Sequence, residues 1–166
     1  VIGKLCWEFP GAVPSDWEAQ HLHGTNNPET VADWKTALDV TVLKQGVFDL
    51  IFHPHGWIRS DQIVELIDYA ASKYGKKVKF LTFREAKERL DKNLLLAHPL
   101  RAPNGQDNGV RLIDVNNDGF LDVIISDKNS GQTRTWNPAQ QSWTSTSFPL
   151  ALVASDDSGN QYDRGV

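Results

Sequence analysis

The sequence predicts an α/β fold, a partial (β/α) barrel of about three βα units, followed by a small all-β segment resembling one propeller blade. Three observations predict it. Apolar runs alternate with helix-period stretches up to residue 92. From residue 109 onward, short β-branched runs alternate with turn residues. Between two of those runs lies Asp-Val-Asn-Asn-Asp-Gly-Phe-Leu-Asp at 114–122, where oxygen-bearing side chains alternate as a hard cation requires.

Residues 1–7 are apolar and predict a strand. Pro10, Gly11, Pro14 and Gly24 punctuate residues 8–27 as a long loop. Asn27 then caps a helix with Pro28 at its first position, and Val31, Trp34, Leu38 and Val42 recur as its buried stripe. Gly46 ends it. Residues 47–52 form an apolar run broken only by Asp49, the pattern of a strand covered on both faces. Ser60 and Asp61 cap the next helix, with Ile63, Leu66, Ile67, Ala70 and Tyr74 on one face and Gly75 closing it. Residues 77–81 read as a strand. Thr82 and Glu85 make a capping box for a third helix ending near Leu90.

Short loops in this β-α-β-α-β-α order imply right-handed crossovers and a parallel sheet. A closed barrel needs about eight units, so the segment is either the end of a barrel or a small open sheet. Pro99, Pro103 and Gly105 mark residues 93–108 as a linker. Strands near 110–114, 121–126, 132–136 and 142–147 then match one blade, which needs further blades beside it to bury both faces. Residues 151–166 read as the start of the next. The expected domains are therefore 1–92, the linker 93–108, and 109–166.

In the 114–122 loop, Asp114, Asn116, Asp118 and Asp122 supply side-chain oxygens. Gly119 permits the turn that offers the carbonyl of Phe120. An EF-hand requires a glutamate at loop position 12 and flanking helices; here that position is Ile125 and the flanks are strands. The loop is either a Ca2+ site between strands or an ion-free Asx turn. Four donors in register favour the ion.

Composition narrows the function. The 166 residues carry a net charge of −4 with both signs dispersed. The basic run Lys76-Lys77-Val78-Lys79 sits at a solvated corner, so nucleic acid is not an expected partner. One cysteine, Cys6, excludes an internal disulfide and reads as a buried thiol. No apolar run is long enough for a membrane span. No signal peptide or initiator Met is present, and the chain reads as a piece of something longer. Six tryptophans suit a carbohydrate platform as well as a core.

The candidate chemistry is His53-Pro54-His55-Gly56-Trp57. In α/β barrels, catalytic groups follow strand ends, and an imidazole there transfers protons near neutral pH. Metal ligation by His53 with His55, or a capping histidine at a Pro-Gly turn, are the alternatives. His21 and His23 read either as a metal pair on a strand or as polar loop residues near the mouth. Trp7, Trp17 and Trp57 are candidates for stacking on sugar rings, Trp57 foremost because it lies beside His53. Trp34 reads as core, and Trp136 and Trp143 as packing between blade strands.

Residues 50–53, followed by a helix and then 77–82 and 84–86, resemble the closing portion of a polysaccharide deacetylase (NodB-homology) domain. That family's distorted (β/α) barrel holds a divalent metal, usually Zn2+, and a late strand ends in Leu-x-His. Ile51-Phe52-His53 is similar, with Ile for Leu. The resemblance implies that His53 is the general acid protonating the leaving amine; His55 and Trp57, beside it, are the candidate substrate-binding residues. The family's early Asp-Asp motif and paired-His motif are absent, so the metal's ligands are expected outside this chain. Separately, residues 114–125 resemble an FG-GAP/VCBS-type repeat, in which such loops bind Ca2+ between blade strands. Together these imply part of a metal-dependent carbohydrate deacetylase joined to a Ca2+-binding propeller repeat, secreted or periplasmic. The expected partners are a carbohydrate substrate and further blades. The alternative is a non-catalytic glycan-binding or adhesion module.

Overall fold

Residues 6–127 and 131–164 are described in a computed structural model, and they fall into two units. One is Phe9–Leu81; the other joins Thr82–Val166 with Val1–Glu8. The division falls at residue 81, so the helix after Thr82 belongs with the β module rather than with the α-rich segment.

In the first unit, α1 (Asp16–His23) occupies a stretch expected to be loop. Ser15 caps it reciprocally with Glu18, a box strong enough to nucleate a short helix between prolines and glycines. Helix α2 (Pro28–Lys44) starts as expected, with the Asn27 side chain accepting from the Glu29 N–H. It ends on Gln45 in the left-handed conformation, one residue before the expected Gly46. Helix α3 (Ser60–Tyr74) has Arg59 rather than Ser60 at its N-cap, and Asp61 pairs back to the Arg59 guanidinium. A single 3-10 turn, Gly75–Lys77, follows as the solvated basic corner.

Trp34, Leu38, Ile58, Leu66 and Ala70 form the core of this unit. The Trp34 indole N–H donates to the Pro14 carbonyl at 2.7 Å, so the ring is buried with its one donor satisfied. Asp39 ties α2 to α3, accepting from Tyr69, Tyr74 and Lys73.

The strands expected at 47–52 and 77–81 are not formed. Residues 47–52 form no strand, and their backbone bonding to 12–16 is Ala12 N–H to the Asp49 carbonyl and Asp16 N–H to the Ile51 carbonyl. A strand exists only through a paired neighbour, and apolar patterning alone does not supply one. Ile51, Phe52 and Phe80 accordingly remain 46%, 50% and 66% exposed. Among the described residues there is no parallel pair and no closed barrel; the architecture is mixed α/β with antiparallel sheets. The strand expected at 1–7 lies mostly outside the described residues. Cys6, expected buried, is exposed.

In the second unit, α4 (Phe83–Arg89) begins at the expected Thr82–Glu85 box and runs into a π turn, Leu90–Leu94. A four-stranded antiparallel meander follows in sequential order: β1 (Val110–Ile113), β2 (Asp122–Ser126), β3 (Gly131–Asn137) and β4 (Ser142–Ser147). A hairpin of β5 (Val153–Ser155) and β6 (Gln161–Asp163) closes the unit. Strand β2 is buried along its whole length. Leu95, Val110, Val123 and Ile125 make the core, with Trp7 and Trp143 packed against it.

Leu95 lies within the expected linker and is fully buried, so the 93–108 segment is part of this packing. Gly109 has φ 68°, and a Cβ there would meet the Ser126 carbonyl at 2.2 Å, which fixes glycine at the entry to β1. Arg134 spans the unit, donating to the Leu94 and Asn93 carbonyls while lying over the Trp143 ring. No helix among the described residues is long and apolar enough to cross a membrane.

Burial pushes the Asp39 carboxyl up, but the Lys73 ammonium and the Tyr74 and Tyr69 hydroxyls together outweigh it and hold the group below its ordinary range. A lowered carboxyl pKa contributes stability at neutral pH that is lost as pH falls through the lowered value. The melting temperature, followed by circular dichroism, is expected to fall on acidification below about pH 4, with a shallower acid limb in Asp39→Asn. Identical acid limbs would remove Asp39 from the account.

Candidate functional site

The site is built where residues 49–53 pass the start of α1. A Cβ at Gly11 would fall 2.5 Å from Ile51 Cδ1, the tip of a side chain. The next residues bond to Asp49 and Ile51 through their backbone, and this alignment delivers Asp16 to His53. One Asp16 oxygen accepts the His53 backbone N–H at 2.6 Å and the other accepts the ring Nδ1 at 2.8 Å. Because an ionised carboxylate only accepts, Nδ1 is the donor and the proton sits there in the neutral ring. The Asp16 side chain is fully buried and the His53 side chain is 41% exposed, so Nε2 is presented outward. Asp16 is also the first residue of α1, where the helix dipole favours a negative charge.

His55 and Trp57 complete an aromatic rim. The His53 and His55 rings lie 5.8 Å apart and nearly parallel; Trp57 stands edge-on to His53 at 5.4 Å and 5.0 Å from His55. The structure thus brings together the three residues singled out by sequence in this segment, and adds Asp16. Trp17, next to Asp16, is 52% exposed and packs against His21 at 4.6 Å.

His21 and His23 lie on helix α1, not on a strand, so residues two apart diverge rather than share a face. His23 pairs with Asp33 instead, at 2.7 Å. Trp7 is packed against the core of the other unit and does not belong to this rim. No group of three or more His, Cys, Asp or Glu among the described residues is gathered to hold a metal.

In the second unit, the 114–122 loop joins β1 to β2. Asp114 accepts the N–H groups of Asp118 and Gly119, Asn116 accepts from Asp118, and Asp118 accepts from Phe120. Asn117 at φ 57° and Gly119 at φ 84° make the turns. Asp122 is fully buried and bridges strands, accepting from Val115 N–H at 3.0 Å and Trp136 N–H at 2.9 Å. The side-chain oxygens of Asp114, Asn116, Asp118 and Asp122 are thus engaged by N–H groups, and the Asn116 amide donates to Asp118. Trp136 and Trp143 face each other across β3 and β4, 5.2 Å apart, as expected of packing between strands.

No protein-family model, curated protein or solved structure matches the chain. The functional reading therefore stands on the residues themselves.

Asp122→Ala would leave two N–H groups in the β module without their acceptor. The unit is expected to lose about 2–4 kcal/mol, with Asp122→Asn losing less because one oxygen remains. Urea unfolding followed by tryptophan fluorescence measures both, and equal stability of Asp122→Ala and wild type would contradict the bridging role.

Proposed function

We propose that the chain is part of a carbohydrate deacetylase in which His53 is the proton donor, and that its β module carries a Ca2+ loop. The observation that carries the first reading is the Asp16 grip on His53. The carboxylate holds Nδ1–H, fixes the ring orientation and stabilises the imidazolium, leaving Nε2 to deliver a proton to a departing amine or alkoxide. The His55 and Trp57 rings beside it suit the apolar face of a sugar. N- or O-acetyl groups on a polysaccharide are the proposed substrates. Activation of water by a divalent metal belongs to residues outside this chain in this reading. The partly exposed His53 ring together with an aromatic rim also supports a second reading, a glycan-binding module without turnover.

Acetate release from an acetylated chito-oligosaccharide by the full-length protein separates the two readings. His53→Ala is expected to lower it by roughly 10²–10⁴-fold without loss of fold. Unchanged release takes His53 out of the mechanism; binding without release in the wild type favours the module.

For the loop, Asp114, Asn116, Asp118, the Phe120 carbonyl and Asp122 are the proposed Ca2+ ligands, supported by donor type and spacing. Extracellular or periplasmic Ca2+ levels would suit such a site, which is the basis for proposing export. Saturating Ca2+ is expected to raise the melting temperature of the wild type by preferential binding to the folded state. Asp118→Ala is expected to melt identically with and without the ion. A wild type indifferent to Ca2+ would leave the loop an Asx turn.

A further inference from the structure

We infer that Asn26 is a positioning residue that fixes the His55–Trp57 rim against His53. It stands in the turn between α1 and α2 and reaches across to the rim by two donors. Its backbone N–H donates to the Trp57 carbonyl at 2.8 Å and its Nδ2 donates to the Gly56 carbonyl at 3.2 Å. Its own carbonyl accepts from Gln62 Nε2 at 3.3 Å and Arg59 Nη1 at 3.4 Å, at the head of α3. Gln62 is buried and also donates to the Asn27 carbonyl. The rim is thereby clamped to the starts of α2 and α3 rather than left as a free Pro-Gly loop.

The side chain does more than satisfy a turn. Asn26 has φ 57°, which Asn, Asp and Gly all tolerate. Only the Asn amide also donates to Gly56. That bond fixes which way the amide points, and it leaves Oδ1 buried without a partner. An unpaired buried oxygen costs stability.

The sugar-facing role of the rim rests on the deacetylase reading; the clamp does not. The titratable groups touching the His53 ring are Asp16 and His55. Because Trp57 stands edge-on to that ring, its indole N–H resonance reports His53 protonation. The test is an NMR titration of the isotope-labelled 166-residue chain from about pH 5 to 8, repeated with tri-N-acetylchitotriose.

Asn26→Asp keeps the turn and the backbone bond to Trp57 but removes the amide donor to Gly56. The Trp57 response should shrink about threefold and trisaccharide binding weaken roughly tenfold. Asn26→Gly serves as the second variant should Asn26→Asp fail to fold, and is expected to behave alike. A Trp57 response unchanged in a folded variant overturns the inference. Loss of the Trp57 response in a protein that ignores the trisaccharide even as wild type upholds the clamp and overturns the sugar reading.

Discussion

The Asp16 carboxylate is sealed from solvent and accepts two N–H groups from one residue, the backbone and the ring of His53. An unpaired buried carboxylate is costly enough that the chain must satisfy it. Several features of the first unit follow from that demand. Residues 12–16 must lie along 49–51, α1 must begin at Ser15 with Asp16 in its first turn, and the His53 ring must face inward by Nδ1 and outward by Nε2. The ion pair Lys35–Glu65 on the helix surfaces is by contrast partly exposed and worth at most about 1 kcal/mol. The buried pair sets the arrangement and the surface pair decorates it.

The second unit uses the same device for a different end. Asp122 also has its two oxygens on two N–H groups, but from different elements, the 114–122 loop and β3. It pins the loop to the meander whether or not an ion is bound. The remaining loop carboxylates are held by exposed backbone N–H groups, which water or a cation replaces at little cost. A bound Ca2+ would therefore add to a loop already shaped, instead of creating it.

Much of this was legible in the sequence. The stripe of α2, the Thr82–Glu85 box and the four strands of the meander rest on local periodicity and caps, which one stretch of chain carries within itself. Helix α1 was also announced, by Ser15 and Glu18, but its box is embedded between Pro14 and Gly24 and the punctuation dominated. The expected strands at 47–52 and 77–81 show the opposite error. Their composition suits a sheet, yet pairing must come from other segments, and among the described residues only two backbone bonds from 12–16 reach the first of them. Asp16 lies 37 residues from His53, and Asn26 lies 30 from Gly56. No periodicity links such positions, so the His53–Trp57 segment stood out in the sequence while the residues that hold it in place did not. Trp7 packs into the β module's core and His21 lies on a helix rather than a strand, because residue type alone does not fix neighbourhood.

The grip of Asp16 on His53 is most directly tested by the nitrogen chemical shifts of the His53 ring at a pH where it is neutral. The account predicts a proton on Nδ1 with slow solvent exchange, a bare Nε2, and a move toward the Nε2 tautomer in Asp16→Ala. A neutral wild-type ring carrying its proton on Nε2, or one unaffected by loss of the carboxylate, would contradict it.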